Sequence, residues 1–330
     1  LENKRKIQQG RKKRGRFGWS KQINRKEGSL DMKNKYFGLP SDVYGIKHSL
    51  KTSLTHLSKV GVKYVEIVSG HISKITGGSF SKSSIKKLDK AKKVCSDLGI
   101  GVQQVHGPYG GNDLVANSEK ERKKNVDIYK GWIDCANALG AHALIVHIGS
   151  RSDLCKCNDR ERLKEKNAES ISELAKHIGK GHLFLALENI PRHSAEHSHI
   201  YCKYGNNVSE LKELLSILKS DRCGICLDTG HGNIENIHIP SAVREAGKDL
   251  VATHINENNG VYDMHMFPFS LRPRYSKMDW FEIFKSFKEI DYPYPLIGEC
   301  ANSTGEYPLW FADSYIKNQK ELIECVLKKI

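Results

Sequence analysis

Nothing in this chain approaches the roughly 20 consecutive apolar residues that a membrane-spanning helix needs. The N-terminal stretch has no apolar core of the kind secretory signals carry, so no export signal is legible there. A disulfide framework is also missing: the nine cysteines are an odd number, and Cys95, Cys135 and Cys226 fall within stretches patterned as helix or strand. Reduced thiols of that kind suit a cytoplasmic protein. Cys223-x-x-Cys226 and Cys155-x-Cys157 invite a zinc or redox reading. The first pair lies along a strand, however, where residues three apart face opposite ways. Finally, no Gly-x-Gly-x-x-Gly follows the first strand, which weakens the case for an open, doubly wound nucleotide-binding sheet.

What is present in excess is positive charge, unevenly spread. The net charge is +15, and residues 1–31 contribute +8 of it through eleven Lys and Arg set against Glu2, Glu27 and Asp31. This leader has almost no apolar periodicity, so we expect it to be disordered. One reading makes it a nucleic-acid arm. We favour another, that it is a non-native leader: patterned sequence opens at Met32, and Arg25-Lys26-Glu27-Gly28 reads like a purine-rich ribosome-binding site translated as codons. Either way, the overall charge is no argument for DNA.

From Met32 the pattern alternates. Strand-like runs at 35–39, 62–68, 101–105, 143–146, 183–187, 223–227, 250–253 and 295–298 are separated by helical spacing at 49–60, 83–98, 118–139, 160–178, 208–219, 241–246, 280–290 and 313–328. Such alternation predicts a parallel sheet. Eight units in about 300 residues is the size of a single α/β domain of the (β/α)8 TIM-barrel class, here residues 32–330.

The strand exits carry the chemistry. From the third strand to the eighth, each apolar run ends at His106, His147, Glu188, Asp228, His254 or Glu299. In a barrel these ends open on one face, where catalytic residues of the fold sit. Helix caps would favour Ser, Thr, Asn and Asp instead. His231 turns back to the same rim through Asp228-Thr-Gly-His231, and Asp263 and His265 stand on a loop above it. So many imidazoles and carboxylates at one mouth predict a divalent metal such as Zn, Mn or Mg.

The motifs Val105-His-Gly-Pro-Tyr109, Leu187-Glu-Asn189, Cys226-Leu-Asp-Thr-Gly-His231, Thr253-His-Ile-Asn256, Asp263-Met-His265 and Gly298-Glu299 resemble the xylose-isomerase-like TIM barrels. This group includes sugar-phosphate isomerases and epimerases and the endonuclease IV class of abasic-site nucleases. The resemblance to the isomerases implies one divalent metal held by Glu188, Asp228, His254 and Glu299. It makes Glu188 and Glu299 the proton-transferring catalytic pair, with His106, His147, His231, Asp263 and His265 left for substrate. A small sugar or sugar phosphate is then the expected partner. The resemblance to the nucleases implies three zinc ions held by all nine of these residues, and DNA as substrate.

Departures from the nuclease pattern favour the isomerase reading. Gly230 stands where the nucleases commonly have Cys, Glu257-Asn-Asn-Gly260 replaces an Asp followed shortly by Lys, and Gly110-Gly111 are too small to wedge into a base stack. A Gly-x-Gly phrase common in the family after His265 is also missing, replaced by Phe269-Ser-Leu-Arg-Pro-Arg-Tyr275. Arg272 and Arg274 there, or Arg192 and His193, would suit a phosphate. Tyr109, Phe267 and Trp280 are candidates for an apolar wall against a sugar.

Overall fold

The computed structural model describes residues 36–108, 113–149, 160–179, 181–191, 204–301 and 303–330. The basic leader, Tyr109, Gly110, Gly111, Cys155, Cys157, Arg192 and His193 lie outside the described residues, and the readings placed on them remain expectations.

The chain begins with β1 (Phe37–Pro40), α1 (Leu50–Lys59), β2 (Tyr64–Ile67), α2 (Ser69–Thr76), α3 (Lys82–Lys86), α4 (Leu88–Asp97) and β3 (Gly101–His106). It continues through α5 (Glu119–Leu139), β4 (Ala143–His147), α6 (Arg160–Ile178), β5 (Phe184–Glu188), α7 (Val208–Leu218) and β6 (Cys223–Asp228). Then come α8 (Thr229–Ile234), α9 (Ile239–Ala246), β7 (Leu250–His254), α10 (Trp280–Glu289), β8 (Leu296–Ile297) and α11 (Leu309–Lys329).

The strands form one eight-stranded sheet in the order β7-β6-β5-β4-β3-β2-β1-β8. Its ends meet, because Ile255 and Gly298 form a parallel bridge and the Ile255 N–H donates to the Ile297 carbonyl at 2.8 Å. The fold is therefore a single (β/α)8 barrel. Short polar side chains start several helices: Ser49 accepts from the Thr52 N–H, Ser118 from Glu121, Asn207 from Glu210 and Asp279 from Glu282.

Two features differ from the expected alternation. The helix expected over 83–98 is two helices, α3 and α4, meeting at Lys87. The helices α2 and α8 were not expected at all.

Period-two alternation along the strands builds the site. Leu144, Val146, Leu185, Leu187, Ile225 and Leu227 belong to the large core shared with the helices. The alternate set Ala143, Ile145, Ala186, Cys226 and Ala252 forms a second, separate apolar cluster. His147, Glu188, Asp228 and His254 continue that second set by one step, so they form a polar layer above small apolar ones. Register fixes their levels: His147 pairs with Glu188 and Asp228 with His254, whereas His106 pairs with Ile145, one step lower.

Candidate metal centre

The centre is a quartet. Glu188, Asp228, His254 and Glu299 each offer one ligand atom, and these atoms lie within 4.8 Å of one another. His254 Nδ1 is 2.8 Å from Glu188 Oε1, 3.3 Å from Glu299 Oε2 and 3.8 Å from Asp228 Oδ2. All four residues are buried.

A group of His106, His254 and Glu299 overlaps it, and two further groups flank it. His106, His147 and Glu188 form one, with His147 Nε2 at 2.9 Å from Glu188 Oε2. His231, Asp263 and His265 form the other, with both imidazoles 3.2 Å from Asp263 Oδ2. The His106 ring stacks on His254, centroids 5.3 Å apart, and meets His147 edge-on at 5.1 Å. All nine residues expected at the rim are thus joined in one cluster. Side-chain exposures of 29% for His147, 23% for Asp263 and 28% for His265 leave the flanks open where the quartet is closed.

Asp228 illustrates how the chain positions these groups. Its Oδ1 accepts the His231 N–H at 2.6 Å and so caps α8, and His231 is buried. Its Oδ2 accepts from Asn256 Nδ2 at 2.8 Å, and Asn189 brackets its backbone with bonds of 2.7 and 3.0 Å. Gly230 is required here: a Cβ at that position would sit 1.8 Å from Asn256 Oδ1. The residue that departs from the nuclease pattern is therefore the one that leaves room for the amide orienting Asp228. Asp263 and His265 reach the mouth on a loop held by the Glu257–Met266 bridge.

The electrostatics follow from this crowding. Burial alone would raise the Glu188 carboxyl, but His254 and His147 overcome it and hold it well below the usual carboxylate range. Burial pushes Glu299 well above that range, with Asp228 and Glu188 adding to the push against the opposing pull of His254. Burial lowers the His106 imidazole to about 4. It also opposes charge on His231, yet Asp228 and Asp263 raise that imidazole to about 10.

The residues fit a divalent ion. Among the described residues, Glu299 Oε2 and Asp263 Oδ1 are buried without a hydrogen-bond partner, although Glu299 Oε2 has imidazole nitrogens 3.3 and 3.6 Å away. Leaving such oxygens unbonded costs about 1–3 kcal/mol or more each, a cost that a bound cation removes. Mixed oxygen and imidazole donors match Zn, Mn and Mg chemistry.

Sequence reasoning missed Glu66 and Gln104. Glu66 Oε2 lies 2.8 Å from His254 Nε2 and accepts from Gln104 Nε2, also at 2.8 Å. A signal existed, since a carboxylate inside the apolar run Tyr64-Val-Glu-Ile67 is poor core material unless it is paired. Some candidates fall away from the mouth. Phe267 is buried against Tyr315, and Trp280 is buried with its indole N–H donating to Glu257, so neither is a wall for substrate. Arg272 and Arg274 are exposed, and Arg274 stacks over Tyr275 at 4.8 Å. Cys223 and Cys226 are free thiols and join none of the ligand groups among the described residues.

In (β/α)8 barrels the catalytic residues sit at the C-terminal mouth, which is where this chain gathers its imidazoles and carboxylates. The chain belongs to the xylose isomerase-like TIM barrel family, whose profile matches residues 54–325. It is 22% identical to a D-psicose 3-epimerase of Enterocloster bolteae over 209 residues, 63% of this chain and 64% of that protein. It is 27% identical to a probable endonuclease 4 of Aquifex aeolicus over 127 residues, 38% of this chain and 41% of that one. The match spans less than two thirds of either relative. A solved D-psicose 3-epimerase, crystallised in the presence of D-fructose, superposes with a TM-score of 0.71 at 19% identity, over 88% of this chain and 99% of that one. At that identity the likeness speaks for the fold. No helix among the described residues is long and apolar enough to cross a membrane.

Proposed function

We propose that this protein is a divalent-metal-dependent sugar epimerase or isomerase. The observation that carries the reading is the closed quartet of Glu188, Asp228, His254 and Glu299, whose ligand atoms gather within 4.8 Å at the barrel mouth. A bound Zn, Mn or Mg ion would polarise a substrate carbonyl and its neighbouring hydroxyl. Glu188 and Glu299 leave the barrel on different strands and act as a pair. One takes the proton from the carbon beside the carbonyl and the other returns it, through an enediol-like state. His106, His147, His231, Asp263 and His265 bind hydroxyls, and the partial exposure of His147, Asp263 and His265 suits groups that meet a ligand from solvent. The substrate class is a small sugar or sugar phosphate. The free thiols of the described cysteines suit the reducing cytoplasm.

One observation favours a second reading. The two flanking groups, His106–His147–Glu188 and His231–Asp263–His265, each bring three donors together, Glu188 being shared with the quartet. Three ions in those places would make an abasic-site DNA nuclease, with the metals generating a hydroxide and holding the leaving oxygen.

Stoichiometry and chemistry together separate the readings. We expect one tightly held metal per chain by elemental analysis, and entry of deuterium next to the carbonyl of keto-sugars incubated in heavy water. His265→Ala should impair turnover and leave that metal in place. About three metals per chain, together with nicking of duplex DNA at an abasic site, would instead establish the nuclease. Protein that binds no divalent metal at all would overturn both.

A further inference from the structure

Glu66 is 1% exposed and lies inside β2, 188 residues from His254 in sequence. It is not a member of any of the ligand groups, because its carboxylate faces the far side of the His254 ring. That ring is held at both nitrogens. Nδ1 points at Glu188, Glu299 and Asp228, while Nε2 lies 2.8 Å from Glu66 Oε2. Gln104 Nε2 donates to the same Glu66 oxygen at 2.8 Å and to the Thr253 carbonyl at 3.1 Å. Gln104 therefore ties Glu66 to the backbone immediately before His254.

We propose that Glu66 is a positioning residue: it keeps the His254 proton on Nε2, so that the Nδ1 lone pair faces the quartet. The inference rests on the reading of that quartet as a metal site. An imidazole binds a metal through one nitrogen only when the other keeps its proton, and the hydrogen bond at that second nitrogen decides which is which. A carboxylate partner also makes the imidazole a stronger donor than a neutral acceptor would. The placement explains why a carboxylate stands in the barrel interior at all. A leucine there would avoid the cost of burying a charge, and only a donor such as the His254 Nε2–H offsets that cost. Register explains how the pair meets. Glu66 is level with Gln104, and Gln104 is one two-residue step below His106, so the staggered layers place β2 beneath the ring carried by β7.

The test uses the whole chain stripped of metal and titrated with Co²⁺ by calorimetry. It is paired with nitrogen NMR of ¹⁵N-histidine-labelled protein, which reads the His254 tautomer. Glu66→Gln keeps an acceptor but loses the charge, and should weaken Co²⁺ binding about 10- to 100-fold while the proton stays on Nε2. Glu66→Leu should weaken it further and mix the tautomers. Gln104→Leu should fall between wild type and Glu66→Gln. Binding within twofold of wild type in both Glu66→Gln and Gln104→Leu would overturn the inference, and if Glu66→Leu fails to fold these two variants decide it. A wild-type chain that does not bind Co²⁺ would sink the metal reading and this inference with it, whereas binding that no variant alters would sink this inference alone.

Discussion

Two charge networks among the described residues are built differently. On the helical shell, Arg122 is 1% exposed, and its guanidinium donates to Glu119 at 2.7 and 2.8 Å, to Glu173 at 2.8 Å and to Ser170 at 3.0 Å. Glu169 adds an ion pair at 3.1 Å. One cation meets three carboxylates that stay partly in water, and the network closes on itself, pinning α5 to α6. At the barrel mouth, carboxylates are gathered with imidazoles, and among the described residues Glu299 Oε2 and Asp263 Oδ1 have no hydrogen-bond partner. The shell shows what an ionic network looks like when its work is stability. The mouth shows one arranged to receive something else.

The contrast breaks most sharply at Glu299. Glu299→Gln should lower turnover about 10²- to 10⁴-fold with little change in unfolding midpoint, because the proposed proton carrier is lost and no packing is. Steady-state kinetics beside thermal melts check this, and turnover within threefold of wild type would place proton transfer elsewhere. Arg122→Leu should do the reverse. It leaves three carboxylates facing one another and should cost about 3 kcal/mol in urea unfolding, with metal content untouched. Loss of metal in that variant would show that the two networks are coupled.

A smaller effect is expected at Asp313, which accepts from Tyr44 at 3.0 Å, His56 at 2.8 Å and Lys59 at 2.9 Å. Burial would raise its carboxyl, but the bonds from Lys59, His56 and Tyr44 win and hold it below the usual range. A depressed native value means that its stabilisation is present above the unfolded value and fades as pH falls through the native one. Asp313→Asn should therefore cost about 1–2 kcal/mol near neutrality, and the gap from wild type should shrink below about pH 4. Unfolding curves across pH measure it, and a gap constant with pH would count against the ion pair. The smallest effect concerns the leader. A chain starting at Met32 should match the full chain in melting midpoint and turnover, and a large loss of stability would show that the leader packs on the barrel.

The alternation of apolar runs with helical spacing, and the His, Asp or Glu at the exits of the third to eighth strands, were legible because both are local signals. The same locality limited the reading. Phe267 and Trp280 could not be told from rim aromatics, since only packing against Tyr315 and the bond to Glu257 buries them.

The residues themselves determined a (β/α)8 barrel with a polar mouth, because parallel strands deliver their C-terminal ends to one face. Tertiary structure decided the rest: that the quartet is closed while its flanks are open, that Asn256 and Asn189 orient Asp228, and that Glu66 stands under His254. These depend on the register stagger between neighbouring strands and on closure between Ile255 and Gly298. Both are pairings between distant segments, and no pattern within a single strand specifies them.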